Sequence, residues 1–182
     1  EATMNDKKAQ TRERILKAAS AALMQRGPAD PSVGEVMGAA GLTVGGFYAH
    51  FESKDAMMLE AFKQLLSRRR DLIADMDSEL TGEERRALVA AFYLSRKHRD
   101  SSDAACPIPA SIGELGRLPE SFRIALNEHL ELMIAQLASS PEDTDKALAD
   151  VALMVGGLAL ARALGPGDLS DRLLRAAKSA VR

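Results

Sequence analysis

Aromatic residues are scarce in this sequence, and β-branched residues are not abundant either. Among 182 residues there are two tyrosines, five phenylalanines and no tryptophan. Strands favour these residue types, whereas this sequence is dominated by Ala, Leu, Met, Glu, Arg and Lys, which favour helices. The composition therefore predicts an all-α protein.

Cysteine is nearly absent and the net charge is small. The single cysteine excludes an internal disulfide framework and suits a reducing compartment. The formal net charge of −2 excludes a chain that is basic throughout, but it allows a small basic face on a neutral body. A local run of basic residues near the N-terminus is either such a face or an ordinary solvated helix surface. Its members are Lys7, Lys8, Arg12, Arg14 and Lys17.

Long apolar runs are missing as well. The longest strongly apolar stretch, residues 151–164, contains Arg162 and is shorter than the roughly 20 residues that span a bilayer. No charged segment followed by an apolar leader opens the sequence. We therefore expect a cytoplasmic protein with no membrane partner.

Hydrophobic periodicity and cap signals divide the chain into about nine helices. Ile15, Ala19 and Leu23 recur on one face of the first. Ser32 with Glu35 forms a capping-box pattern at the start of the second, and Gly and Pro residues separate several of the others. The predicted helices cover residues 8–26, 32–40, 43–50, 53–76, 81–99, 107–115, 119–138, 141–164 and 170–181.

The second and third predicted helices are short and are joined by a tight turn at Gly41. This is the pattern of a helix-turn-helix that reads DNA. The third helix contains Gly45 and Gly46, which cost about 1 kcal/mol each relative to Ala inside a helix. A surface where the backbone must approach another molecule closely accounts for them, and a simple loop is the alternative. Phe47 and Phe51, four residues apart, are predicted to face inward as anchors.

Residues 11–62 resemble the tetracycline-repressor (TetR) family. The likeness rests on Gly41-Leu42-Thr43, on Phe47-Tyr48-Ala49-His50-Phe51, and on Ser53-Lys54. It implies a homodimer with a three-helix DNA-binding domain at residues 8–54 and an effector-binding and dimerisation domain at residues 55–182. By position, the family's contacts with double-stranded operator DNA fall on Ser32, Thr43, Val44, Gly45, Gly46, Tyr48, His50 and Lys54. Because the glycines offer no side-chain hydrogen bonds to bases, we expect mostly phosphate contacts and a steep dependence on salt.

The resemblance also implies a ligand pocket enclosed by the fifth to eighth helices. The effector is expected to be a small, mostly apolar molecule, since the residues that periodicity allows to face inward are largely apolar. For each of these residues, ordinary core packing is the alternative. The candidates are Phe92, Cys106, Leu115, Phe122, Leu126, His129, Met133 and Met154.

Cys106 raises a separate hypothesis. A redox or electrophile sensor needs a thiolate that is stabilised by positive charge and reachable from solvent. Arg99 lies some way before the cysteine in the sequence and Asp103 lies closer. The alternative is a small buried residue at the start of the sixth helix, and the sequence leaves both readings open.

The last two predicted helices are expected to form the dimer interface as a four-helix bundle between subunits. Small residues on the eighth helix and leucines on the ninth support this, and packing inside one subunit is the alternative. The candidates are Val155, Gly156, Ala159, Arg162, Ala163, Leu169, Leu173, Leu174 and Ala177.

The sequence argues against two other classes of protein, an enzyme built in a helical bundle and a helical adaptor. The three histidines, His50, His98 and His129, lie in none of the patterns that hold catalytic metals in helical bundles, and no phosphate-binding loop occurs. A dyad of Cys106 with a histidine stays open. A helical adaptor would have no reason to expose Gly45-Gly46 beside Tyr48. The sequence thus predicts no enzyme, metal or cofactor, but a repressor released from a palindromic operator by a small molecule.

Overall fold

The computed structural model describes residues 3–101 and 106–181. Within these ranges the regular structure is helical and no strand occurs, so the all-α prediction is confirmed. The α-helices are α1 Met4–Arg26, α2 Val33–Ala39, α3 Lys54–Ala74, α4 Gly82–Tyr93, α5 Arg96–Asp100, α6 Ile108–Ser111, α7 Glu120–Leu137, α8 Thr144–Leu164 and α9 Asp168–Ala180. Short 3-10 helices cover Val44–Ala49, Leu115–Arg117 and Pro141–Asp143.

Contacts group the chain into two compact units. The first contains Glu1–Leu65 and Ala110–Ala125, and the second contains Leu66–Pro109 and Leu126–Arg182. Helices α3 and α7 each contribute residues to both. This grouping follows packing, and the expected domain boundary after residue 54 stays a prediction.

The core of the first unit forms around α1. Ile15, Leu16 and Leu23 are fully or almost fully buried, and α1 packs against α2, whose Val36 and Met37 are also buried. This apolar burial supplies most of the stabilisation of such a small helical unit, since propensity alone leaves short helices marginal.

A buried ion-pair network organises the second unit. The Arg86 guanidinium on α4 is 2% exposed and lies 2.8 Å from a carboxylate oxygen of Asp143 and 2.8 Å from one of Asp150. It also donates to the carbonyl oxygen of Leu137 at 2.8 Å. The network therefore joins α4 to the end of α7 and the beginning of α8.

The predicted helix at residues 81–99 is wrong in one respect, because the structure has two helices there. α4 ends at Tyr93, and Leu94 leaves the helical region with φ −96° and ψ 36°. The Ser95 hydroxyl then caps α5 by accepting a hydrogen bond from the backbone N–H of His98 at 3.0 Å. Since no Gly or Pro marks this break, the breaker signals used on the sequence missed it.

Two helix starts also differ from the prediction. α1 begins at Met4 rather than near residue 8, because Thr3 and Asp6 form a capping box. α9 begins at Asp168, so Ser170 is not its cap as predicted. Ser170 is 1% exposed, and its hydroxyl donates to the carbonyl oxygen of Ala161 at 2.9 Å.

The helical segment Pro141–Leu164 has 24 residues and is long and apolar enough, by length and composition, to cross a membrane. The sequence argument considered only residues 151–164 and so underestimated its length. Two of its charged residues form contacts inside the second unit, as those of a helix in a folded bundle do. Asp150 is paired with Arg86, and the Arg162 guanidinium donates to the carbonyl oxygen of His98 at 2.9 Å.

Candidate nucleic-acid interface and ligand cavity

A capping box and a glycine turn hold the two short helices of the first unit. The Ser32 hydroxyl accepts from the backbone N–H of Glu35 at 3.1 Å, and the Glu35 carboxylate accepts from the Ser32 N–H at 2.8 Å. α2 is followed by Gly41, whose φ of +70° lies in the left-handed region that favours glycine. The chain then turns directly into the segment Val44–Ala49. The order of elements is that of a helix-turn-helix.

The segment Val44–Ala49 is a 3-10 helix, not the α-helix that the sequence predicted. Phe47 is fully buried and Phe51 is 5% exposed, and their rings stack with centroids 5.8 Å apart. The prediction that this pair faces inward is confirmed. Gly45 and Gly46 disfavour an α-helix, and 3-10 helices occur as short segments such as this one.

The opposite side of this segment is open to solvent. Tyr48 is 74% exposed and Val44 is 52% exposed. A methyl group placed on Gly45 would meet nothing within 4 Å, and one on Gly46 would only reach the Met37 side chain at 4.0 Å. Packing inside the chain therefore does not require either glycine. We call the exposed residues 43–46 and Tyr48 the recognition surface.

The remaining predicted DNA contacts flank this surface, and they differ in whether their side chains are exposed or already engaged. Thr43 is exposed and its side chain makes no cap hydrogen bond, although the sequence predicted a cap. The Lys54 ammonium donates to the carbonyl oxygen of Ala29 at 2.7 Å. His50 is half-buried, and burial, together with the charges of Lys8 and Arg12, lowers its pKa.

The N-terminal basic run divides into two groups. The Arg12 guanidinium pairs with the Glu60 carboxylate and lies 4.5 Å from the centre of the Phe51 ring, and Arg14 donates to the carbonyl oxygen of Ala40 at 2.6 Å. These two arginines stabilise the unit. The other three, Lys7, Lys8 and Lys17, are exposed.

The second unit contains a partly open cavity of about 270 Å³. Its wall is mostly apolar and comes from α3, α4, α7, α8 and the segment around Cys106. Five residues that the sequence proposed for a pocket lie in this wall, namely Phe92, Cys106, His129, Met133 and Met154. Lining residues that the sequence did not single out for the pocket are Arg69, Leu72, Ile73, Met76, Leu88, Val89, Tyr93, Ile108, Leu137, Val151 and Val155.

Three other proposed pocket residues are not among those that line the cavity. Leu115 and Phe122 are buried in the first unit, where the Phe122 ring lies 5.9 Å from that of Phe62. Leu126 is half-buried on α7. Periodicity identified them as inward-facing but could not distinguish a core from a cavity wall.

Polar groups in the cavity wall are few: Arg69 is half-buried, and His129, Tyr93 and Cys106 are buried. The His129 imidazole is 1% exposed, and its Nδ1 lies 2.7 Å from Nη1 of Arg70. Burial, and then the charges of Arg70 and Arg69, lower the pKa of His129 to about 4. The imidazole is therefore neutral at pH 7. Tyr93 is 5% exposed, and burial raises the pKa of its hydroxyl.

Cys106 lies in the same wall, and its surroundings favour the neutral thiol over the thiolate. The side chain is 4% exposed, and burial raises the pKa of the thiol. Arg99, the nearby cation in the sequence, is engaged with Asp100 and Asp171. Asp103 lies outside the described residues. A low thiol pKa is what a sensor requires, so this environment favours the alternative of a small buried residue.

The residues proposed for the dimer interface fall into two sets. Leu174 and Ala177 are already buried inside the chain, where Ala177 packs against α8 so closely that a methyl on Gly157 would lie 3.1 Å from it. Arg162 is held by carbonyl oxygens of α5. By contrast, Ala163 and Leu169 are exposed. Partly buried members of the proposed set are Val155, Gly156, Ala159 and Leu173.

An exposed apolar face remains on α8 and at the start of α9, although the sequence did not single out all of it. It consists of Leu160 and Leu164, about one helical turn apart on α8, and of Leu169 on α9, with exposed fractions of 58%, 52% and 63%; Leu148, 43% exposed, lies on another side of α8. We call this the α8–α9 face. Clusters of three or more His, Cys, Asp or Glu side chains able to hold a metal do not occur in the described ranges.

Comparison with known proteins bears on the first unit most directly. Residues 15–61 match the family described as "Bacterial regulatory proteins, tetR family". A curated relative, the uncharacterized HTH-type transcriptional regulator YerO of Bacillus subtilis (strain 168), is 28% identical over 102 residues. That alignment covers 53% of this chain and about a third, 34%, of the relative's length.

Solved structures extend the likeness to the whole fold. The reduced form of NemR from E. coli has a TM-score of 0.77 at 21% identity and covers 95% of each chain. A TetR family regulator from Agrobacterium tumefaciens has a TM-score of 0.78 at 16% identity and covers 96% of this chain and 98% of its own. At these identities the likeness shows a shared fold.

The first unit therefore has a helix-turn-helix within a segment that matches a family of bacterial regulatory proteins, and the chain shares the fold of a TetR family regulator. Residues 15–61 are thus similar to the tetR family of bacterial regulatory proteins, and the likeness over the rest of the chain is one of fold.

Proposed function

We propose that the protein is a ligand-responsive repressor that leaves a palindromic operator when a small, mostly apolar molecule enters the cavity of the second unit. The observation that carries this proposal is the presence, in one chain, of an exposed recognition surface and a separate apolar cavity of about 270 Å³. A repressor of transcription in the bacterial cytoplasm uses both features.

The recognition surface is suited to close contact with DNA. Phe47 and Phe51 fix its orientation, so the exposed side presents backbone, the Val44 side chain and the hydroxyls of Thr43 and Tyr48. Val44 can touch a thymine methyl group in the major groove, and the Tyr48 hydroxyl can donate to a phosphate. With glycines at positions 45 and 46, the surface discriminates through backbone fit and DNA shape more than through side-chain hydrogen bonds to bases.

The supporting DNA contacts require one rearrangement and use groups that are free to move. The exposed ammonium groups of Lys7, Lys8 and Lys17 supply positive charge without disturbing the fold. The Lys54 ammonium must exchange the carbonyl oxygen of Ala29 for a phosphate oxygen. Since a neutral carbonyl acceptor is replaced by a negatively charged phosphate, we expect the exchange to be favourable.

A palindromic operator requires a homodimer, because a twofold-symmetric protein binds two half-sites one helical turn apart. The α8–α9 face supports this proposal, since exposed leucines about one helical turn apart form an apolar surface that a second subunit can cover. Leu160→Glu places a charge on this face, and Ile124→Glu on α7 is a matched control because both side chains are 58% exposed. We expect light scattering to show a monomer for Leu160→Glu and a dimer for Ile124→Glu. A dimer in both proteins would place the interface elsewhere.

Release by a ligand follows from population shift. A molecule that binds the cavity more tightly in a conformation unable to match both half-sites lowers the affinity for DNA by the ratio of its two affinities. The apolar wall predicts that the ligand gains most of its affinity from burial of apolar surface.

The DNA-binding half of the proposal is tested by selecting fragments of genomic DNA with the purified protein and measuring affinity by fluorescence anisotropy. Val44→Asp places a carboxylate on the recognition surface, and Ile112→Asp is its control, because both side chains are 52% exposed in the first unit. We expect Val44→Asp to lose at least about tenfold in affinity through repulsion of phosphates, with its helical circular dichroism unchanged. Equal affinity of the two variants would refute the placement of the DNA contacts.

A further inference from the structure

The tautomer of His129 is fixed by its neighbour. Nδ1 of the imidazole lies 2.7 Å from Nη1 of Arg70. An arginine guanidinium only donates hydrogen bonds, so Nδ1 must be the acceptor. In a neutral imidazole the proton is then on Nε2. The lowered pKa of His129, about 4, agrees with a neutral ring at pH 7.

The Nε2–H group of His129 is a buried donor without an acceptor. The side chain is 1% exposed, and among residues 3–101 and 106–181 no atom accepts a hydrogen bond from Nε2. A buried donor that has lost water and gained no partner destabilises the folded state. The second nitrogen of the same ring is held by Arg70, so the ring cannot turn to satisfy Nε2 without breaking that bond.

This donor belongs to the wall of a cavity that is otherwise almost entirely apolar. His129 lines the cavity together with residues such as Leu72, Met133 and Met154. The Tyr93 hydroxyl, another buried polar group of the wall, has the weakly bonding thiol of Cys106 as its neighbour. The wall thus combines a large apolar surface with a donor held in place by Arg70, and because Nε2 is closed to solvent, a ligand reaches it only when the side chains beside it move.

We infer that the molecule bound in this cavity has an apolar body and one acceptor oxygen of the carbonyl type, which receives the Nε2–H of His129. An apolar cavity accepts such a ligand with little desolvation cost apart from the oxygen, and the oxygen accepts from a buried donor that has no acceptor in the described part of the chain. Arg70 is a positioning residue that keeps the proton on Nε2. The inference rests on the proposed function for the identification of the cavity as an effector site.

A matched pair of probes tests the inference on the free protein. The probes are 2-acetylnaphthalene and 2-isopropenylnaphthalene, which differ only in a carbonyl oxygen replaced by a methylene group. Binding to the full chain is measured by isothermal titration calorimetry without DNA. We expect the ketone to bind roughly tenfold more tightly, because only the ketone pairs the buried donor. Equal affinity, tighter binding of the hydrocarbon, or no binding of either probe would overturn the inference.

Variants of His129 separate the donor from the shape of the ring. His129→Phe keeps an aromatic ring and removes the donor, so the preference for the ketone should disappear. His129→Gln keeps an N–H donor near the position of Nε2 and should retain part of the preference. Circular dichroism checks that each variant folds. Retention of the full preference in His129→Phe would show that another group receives the oxygen.

A measurement on the unmodified protein keeps the inference testable if both variants unfold. With ¹⁵N-labelled histidine, the nitrogen resonances of His129 at pH 7 should show a protonated Nε2 and an unprotonated Nδ1, and the ketone should shift the Nε2 signal. A proton on Nδ1 would contradict the argument. Since these experiments contain no DNA, a protein that shows the ketone preference but binds no DNA would refute the proposed function and leave the inference intact.

Discussion

The buried imidazole of His129 predicts a loss of stability in mild acid. Its pKa is lowered from 6.5 to about 4 in the folded protein, because burial and the adjacent Arg70 disfavour the charged ring. In the unfolded chain the imidazole takes up a proton as the pH falls below 6.5, whereas in the folded chain it does so only near 4. The unfolded state therefore binds more protons in this window, and the free energy of unfolding decreases as the pH falls.

The size of the effect follows from the shift. The difference between 6.5 and about 4 corresponds to roughly 3 kcal/mol when fully developed, at about 1.4 kcal/mol per unit of pKa. Between pH 7 and pH 5 roughly 2 kcal/mol of it should be lost, since the unfolded imidazole is then almost fully protonated and the folded one is not. Most carboxylates titrate below this window. The half-buried His50, whose pKa is also lowered, adds a smaller loss of the same sign.

Urea unfolding at pH 7 and pH 5, followed by circular dichroism at one protein concentration, measures this loss. His129→Phe removes the titrating group and retains His50, so its stability should fall by roughly 2 kcal/mol less than that of the parent protein over the same interval. If both proteins lose the same stability, His129 does not titrate as its surroundings imply, and the argument for a neutral ring fails.

Three further predictions follow from the packing and the two sites. Gly45→Ala should leave the free energy of unfolding unchanged or raise it by up to about 1 kcal/mol, because a methyl group there meets nothing within 4 Å. The same variant should bind DNA more weakly in an anisotropy assay. Unchanged affinity would show that close approach of the backbone to DNA is not needed. Arg86→Met should lower the free energy of unfolding by about 3–5 kcal/mol in urea titrations, since Asp150 loses a buried partner, and a change below 1 kcal/mol would contradict that role. An electrophile should not release DNA from the parent protein or from Cys106→Ser, because burial raises the pKa of the thiol. Release from the parent protein but not from Cys106→Ser would restore the sensor hypothesis.

Local signals in the sequence were enough to predict the helix-turn-helix. The capping box of Ser32 and Glu35, the turn at Gly41 and the spacing of Phe47 and Phe51 each concern residues within a few positions of one another. Cap chemistry and helical periodicity act over that range, so the pattern predicts the fold there. The 3-10 geometry was missed because the four-residue spacing of the two phenylalanines suggested an α-helix, whereas Phe51 lies beyond the end of the 3-10 helix.

Features that depend on distant residues could not be predicted in the same way. Arg86 reads as a surface residue of a helix, and nothing near it in the sequence announces Asp143 and Asp150 as partners. The cavity presents the same difficulty, since Phe122 and Met154 have the same inward periodicity but only Met154 lines the cavity. The break at Leu94 had one usable signal, the serine that caps the next helix.

The salt dependence of DNA binding tests the central claim most directly. Affinity for the DNA fragment selected by the protein is measured by fluorescence anisotropy across a series of salt concentrations. A dimer that grips DNA mainly through phosphates should give a linear plot of log affinity against log salt, with a slope of roughly −6 to −10. A flat plot, or a failure to select any fragment, would contradict the assignment of residues 43–46 and Tyr48 as a DNA-binding surface.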